Sequence, residues 1–537
     1  FELPDEGDLA RRLGTAHVVG RQGQRKVVGV GLDMPVHRIP QLQGHGQIGR
    51  ADIGHEGGQA ALPQTPQVPV GLEKATDEEL WDYVPPASLR RAVFLGPTEV
   101  GCPVHGKEVF RVGGGFYPWL YSADKPWQVK CPVGGETYPS NDFGAYLKGG
   151  MKDKALLTGD YPDDGTGWVD AKGNRFFFVG YWVFHQRWYD VLRAITGFSN
   201  AYFATGKPEY AHKAAVLFCA LAEQYPQMKY GEQGTQGNIG GMILPWCWEN
   251  QSVVTPMSTA YDRLFPYLKQ DNDQALRDFI KTKTDLPPRQ QIEQRFMQTI
   301  AKTELNTDMY WSNECDHQLA FADWALAWDN NNPADGITTQ QAIDWIINDG
   351  GDNSLEELIL NCTYRDGFPC EGAIGYSSAV AGRLVEVAER LRRCGYDLFR
   401  QYPRLKQIAG CWIDMSLADG HTPSIGDAGS VLGSGRAWNA QMFHLAWENA
   451  RDPKFAQALW MMKNVRYAPY TPDRTAELEQ AVRAHGDQPN YKTRNLGGMG
   501  LAILESGGPQ NPRGVALYYG SPAGGHSHHD RLNIEFF

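Results

Sequence analysis

The chain has 537 residues, 42% hydrophobic and 12% aromatic, which is ample for a large core and excludes a disordered or fibrous protein. Lys and Arg number 51 against 62 Asp and Glu, a net charge of -11. That balance argues against a nucleic-acid binder, which needs a basic face, but leaves an anionic substrate compatible with a local basic cleft.

Residues 1–75 are rich in Gly, Gln, Arg and His without sustained periodicity, and read as a leader or loop-rich segment with no assigned function. From 76 to 185 the chain is rich in Trp, Pro and Gly, which predicts irregular structure wrapped on a core. Its most apolar run, FFFVGYWVF (176–184), stops at His185, far short of the roughly 20 apolar residues that cross a bilayer, so no membrane insertion is expected. Helical periodicity dominates 186–490. Segments 190–206, 208–226, 354–362, 379–395, 404–418 and 437–450 place apolar residues at three- and four-residue intervals. In ATGKPEY a Gly ends one helix and a Pro opens the next. Successive helices on short turns predict a toroid of helical hairpins. After about 490, segments 498–507, 514–520 and 530–537 read as strands between glycines. About three strands rarely close an all-β domain, so 491–537 is expected to be only the start of one.

Four clusters can carry chemistry. In GGHSHHDRLNIEFF (524–537), His526, His528 and Asp530 share one face if the segment is a strand. Two imidazoles and a carboxylate there can bind a metal or supply a proton donor beside one; a solvated edge strand is the plain alternative. In MYWSNECDHQLAFADWALAW (309–328), a helix from about Ser312 would put Asn313 and His317 on one face, with Glu314 and Cys315 beside Asn313. An amide that binds a carboxylate, one turn from an imidazole that moves a proton, suits uronate chemistry; a helix cap plus a core histidine is the alternative. In YRDGFPCEGAIGYSS (364–378), a loop feeds Tyr376 into a helix. As a base, that phenol needs its pKa lowered from about 10 by positive charge or donors; a tyrosine packed at a loop-to-helix junction is the alternative. Finally, GCPVHG (101–106) and KCPVGG (130–135) are paired knuckles. Cys102, His105 and Cys131 make part of a zinc site, but Gly134 stands where a fourth ligand would match, and a Cys102–Cys131 disulfide is equally open. The nine cysteines are an odd number, too sparse for a disulfide-built scaffold.

The helical array, SNECDHQ, DGFPCEGAIGYSS, TPSIGDAG (422–429) and the His-rich final segment together resemble the heparinase II/III-like polysaccharide lyases, a group that includes alginate, heparin and ulvan lyases. The resemblance covers roughly 80–537. It implies a mostly α fold, an (α/α) toroid followed by antiparallel β-sandwich domains, and β-elimination at uronic acids of an anionic, sometimes sulfated polysaccharide. It further implies that Asn313 neutralises the substrate carboxylate, that Tyr376 takes the C5 proton, and that His526 is the acid, or the base for the other epimer. In that family a His follows the Asn directly; Glu314 stands there in this chain, and His317 is the expected substitute. His528 matches a zinc-ligand position, with Asp530 nearby and the remaining ligands expected from later strands. Secretion or a periplasmic location follows from the polymeric substrates and from the absence of an initiator Met, and a homodimer stays open.

Trp246 and Trp248 are candidates for stacking on sugar rings, and Arg383 and Arg436 for holding anionic groups; buried aromatics and salt-bridged arginines are the alternatives. Two other functions compete with the lyase. A toroid hydrolase would use a carboxylate pair drawn from Asp316, Asp366, Glu371 and Asp427. A non-catalytic glycan binder would use the same scaffold without needing Tyr376 or His526.

Overall fold

A computed structural model describes residues 71–91, 100–113, 118–121, 125–228, 241–244, 247–305, 315–417, 420–426, 437–463, 475–489, 492–507, 511–520, 527–528 and 532–537. The chain divides into two units, 1–47 and 48–537, and every described residue belongs to the second.

Nine helices of nine or more residues lie among the described residues: α1 (Tyr189–Thr205), α2 (Pro208–Gln224), α3 (Thr255–Gln270), α4 (Asp316–Trp328), α5 (Ile374–Arg393), α6 (Arg404–Asp414), α7 (Ala440–Ala450), α8 (Pro453–Met461) and α9 (Thr475–His485). The turn between α1 and α2 forms as its sequence dictates. Gly206 takes the left-handed conformation that ends α1 (φ 70°), and Pro208 opens α2. The helices pack largely in chain order, α1 on α2 and α3, α3 on α4, α4 on α5, α5 on α6 and α7, then α7 on α8 and α8 on α9. The architecture is thus mostly α, an array of helical hairpins, as the periodicity predicts. Its core is continuous, with Trp188, Phe198, Phe218, Trp324 and Trp412 fully buried.

The described residues of segment 76–185 form short helices and strand pairs. A helix Asp77–Tyr83, capped reciprocally by Thr76 and Glu79, lies on α2. Two short antiparallel pairs follow, β1 (Val129–Lys130) with β2 (Thr137–Tyr138) and β3 (Trp168–Val169) with β4 (Arg175–Phe176). Aromatic contacts hold this segment down: Tyr138 stacks on Phe178 at 4.6 Å and Trp127 meets Trp182 at 4.8 Å. Asp163 is buried and accepts the N–H groups of Gly165, Gly167 and Val179, pinning the segment to the helix that leads into α1.

The final segment forms one antiparallel sheet in the order β5 (Arg494–Leu496), β6 (Leu501–Ser506), β7 (Arg513–Tyr518), β8 (Asn533–Phe536). Leu501, Ile503, Ala516 and Tyr518 are buried on its inner face, while Leu504 between them is exposed, the alternation expected of a sheet covered on one side. Arg494 anchors the sheet to the helices. Its guanidinium donates to the carbonyls of Asp414 and Ser416 at the end of α6 and to the Glu505 carboxylate.

Candidate active site at the junction of helices and sheet

The described parts of the segments singled out by sequence are linked to the start of α5 and to the sheet by a few backbone and side-chain hydrogen bonds. Tyr376 lies in the first turn of α5 and is 36% exposed. The backbone N–H of Ile374 donates to the carbonyl of Ile425 at 3.3 Å, joining the start of α5 to the TPSIG loop. The N–H of Ser424 in that loop donates to the Glu535 carboxylate of β8 at 2.7 Å. Burial raises the pKa of Glu535. Asp366, in the loop before α5, accepts the N–H of Met499 at 2.8 Å. Tyr376 therefore stands on a helix start braced from two sides by the sheet.

Arg383 lies seven residues after Tyr376, close to the same face of α5 and about 10 Å along the axis. Its Nε pairs with Asp316, the first residue of α4. Asp316 also accepts from Gln251 at 2.8 Å, and Gln251 sits in a π-helical turn (Asn250–Val254) just ahead of α3. Burial pushes the Asp316 carboxyl up to about 6, against the opposing pull of Arg383 and Gln251. Asn313 and Glu314 lie outside the described residues. Arg383 is thus a salt-bridged arginine that ties the Tyr376 helix to the end of the SNEC segment.

The helix containing His317 does not extend back through Asn313. Cys315 takes a left-handed backbone conformation (φ 70°) and α4 begins only after it. The shared helical face expected for Asn313 and His317 is therefore corrected. His317 is 4% exposed and stacks on Trp345; its Nε2 donates to the Glu304 carbonyl at 2.9 Å, with the Glu304 carboxylate 2.5 Å away. Because Glu304 and His317 flank residues 306–314, this contact pins both ends of that segment. His317 is thus held between Glu304 and Trp345.

A second buried network lies nearby. Glu249 accepts the Tyr225 hydroxyl at 2.7 Å and the N–H groups of Ile243 and Leu244. Burial pushes Glu249 up to about 8, with those donors pulling the other way. No periodic pattern marks Gln251, Glu304 or Glu249 in the sequence.

Other expectations are corrected or fall outside the described residues. Trp248 is half-buried against the core, 6.3 Å from Phe184. Trp246, Arg436, His526 and Asp530 lie outside the described residues. His528 is exposed and precedes β8, which starts at Asn533 after Leu532 turns the backbone to φ 61°. The strand alternation that would align His528 with its neighbours is therefore absent at that residue. His528 also belongs to no group of three or more potential metal ligands among the described residues. Of the hydrolase candidates, Asp316 and Asp366 are each occupied, by Arg383 and Gln251 and by the Met499 N–H respectively.

The paired knuckles do come together. Cys102, His105 and Cys131 converge with Glu136, a residue the sequence reading missed because it follows the knuckle instead of filling the Gly134 position.

No family model matches the chain, and no curated protein matches it. Solved structures similar to it include three of polysaccharide-lyase type. One is a heparinase III, the BT4657 gene product (12% identity, 65% of this chain and 49% of that one, TM-score 0.42). Another is the heparan sulfate lyase HepC from Pedobacter heparinus (17%, 74% and 55%, TM-score 0.41). The third is an alginate lyase from Bacteroides ovatus (13%, 59% and 79%, TM-score 0.35). The chain spans about half the length of the two heparin-type lyases. No helix among the described residues is long and apolar enough to cross a membrane.

Proposed function

We propose that the protein is a polysaccharide lyase that cleaves a uronate-containing anionic polysaccharide by β-elimination, outside the cytoplasm. The observation that supports this reading is the linkage around the start of α5, where Arg383 pairs with Asp316 at the start of α4 and the Ile374–Ile425 and Ser424–Glu535 contacts join α5, the TPSIG loop and β8.

The chemistry follows from these groups. A uronate C5–H becomes acidic when its carboxylate is neutralised, and Asn313 supplies donors for that. Tyr376, in the first turn of the 20-residue helix α5, is the proposed base. Its phenolate takes the C5 proton, the C4–C5 double bond forms and the C4–O bond breaks. The departing O4 then collects a proton from Tyr376 or, on the opposite side of the ring, from His526. No water is consumed. The glycan polymer is the expected partner; nucleic acid and membrane insertion are not.

The test is ultraviolet absorbance of the conjugated unsaturated uronate across a panel of acidic polysaccharides. One polymer should give rising absorbance, and Tyr376→Phe should lower the rate at least about 100-fold with an unchanged circular dichroism spectrum. Full activity in that variant would remove Tyr376 from the mechanism.

A further inference from the structure

We propose that Cys102, His105, Cys131 and Glu136 bind a zinc ion that clasps the turn at 101–106 to the β1–β2 hairpin. Each cysteine opens a tight backbone turn. Cys102 and Gly106 exchange backbone hydrogen bonds of 3.0 and 2.8 Å, and Cys131 donates to the Glu136 carbonyl while accepting from Gly135. The N–H groups of Val133 and Gly134 are directed at the Cys131 sulfur.

The distances fit a metal. His105 Nδ1 lies 3.8 Å from Cys102 Sγ, 3.6 Å from Cys131 Sγ and 3.5 Å from Glu136 Oε2. All four ligand atoms lie within 4.8 Å of one another. In a tetrahedral site with Zn–S of about 2.3 Å and Zn–N of about 2.05 Å, sulfur and nitrogen ligands are about 3.6 Å apart. Glu136 Oε2 is shielded from solvent and accepts no hydrogen bond among the described residues. A buried carboxylate oxygen in that state is costly, and a cation resolves it. Gly134 is required for the fit: a Cβ there would come within 2.2 Å of the His105 ring and 2.3 Å of the Glu136 carboxylate.

Thiolates and an imidazole select zinc over magnesium or calcium. Both cysteines are buried and unbridged, and the Tyr138 hydroxyl lies 3.4 Å from Cys102 Sγ as an outer partner. A disulfide between them would leave His105 and Glu136 gathered around nothing. The site is closed by four protein ligands, so its role is to hold the wrapping segment in place.

The test uses the whole protein, purified under mild reductant without chelator. Elemental analysis should show zinc, and Cys102→Ser should lower it by about one equivalent per chain. Cobalt exchanged into the wild type should give sulfur-to-cobalt charge-transfer absorption, which a site made only of His and carboxylates cannot produce. Glu136→Gln should keep that absorption while weakening zinc binding about tenfold or more. If Cys102→Ser does not fold, alkylation of the wild type decides: Cys102 and Cys131 should resist iodoacetamide until a chelator is added. A Cys102–Cys131 disulfide, or cobalt protein without the sulfur band, would overturn the proposal.

Discussion

At the residue scale, two buried carboxyl groups make the surroundings of the site sensitive to pH. Glu249 has a folded pKa raised to about 8, above the roughly 4.3 of an unfolded chain. A raised carboxyl pKa contributes stability that is fully present below the unfolded value and is lost as pH climbs through the folded one. Glu249→Gln keeps an acceptor for Tyr225 and removes the ionisation. Urea unfolding should show the wild type losing more stability than this variant between pH 5 and pH 8; parallel curves would mean that Glu249 does not titrate there. Asp316 gives a related test. Arg383→Met leaves a buried carboxyl without its partner, which should cost about 3 kcal/mol at pH 8. At pH 5 the cost should shrink, because Asp316 takes up a proton instead. Residues inside a local motif were legible at this scale: Tyr376 by its loop-to-helix position, and Cys102, His105 and Cys131 by their knuckles. His317 was misread because four-residue spacing implies a shared face only if the helix continues, and the φ of Cys315 stops it. Gln251 carries no signal at all, since its role depends on a π-helical turn and a partner 65 residues away.

Helices with an apolar stripe and terminal Gly or Pro were readable at the scale of elements to within a few residues, as α1 and α2 show. Helix α5 starts at Ile374, five residues before its periodic stretch, because the Gly-rich approach masks the first turn. Helix α3 went unread, since it is largely polar and holds Pro266 in its interior. The loop before α5 depends on Gly367, which has φ +90° and whose Cβ would lie 2.4 Å from the Gln407 carbonyl oxygen. Gly486 has nearly the same φ (+91°) and open space around it. Gly486→Ala thus reports backbone strain alone, about 1 kcal/mol. Gly367→Ala should cost distinctly more in thermal unfolding and should also slow turnover through Tyr376. Equal costs would mean that the loop yields freely.

For the whole molecule, helical periodicity announced a mostly α fold, and the strand periodicity after about 490 matches the sheet β5–β8. How the parts meet was not legible, because the contacts are isolated polar bonds between distant residues. Arg494 reaches back to the end of α6, Asp366 reaches forward to Met499, and Glu535 holds Ser424. Such bonds have no periodicity, yet they tie the sheet to the helices and to the TPSIG loop. The most direct test of the proposed elimination is the mass of the oligosaccharides released from a defined acidic polymer in oxygen-18 water. Elimination predicts a fragment that carries the unsaturated ring, no heavy oxygen incorporated by cleavage, and product masses that sum to the substrate without an added water. Fragments that gain one water, with heavy oxygen at the broken linkage, would contradict the lyase account and establish hydrolysis.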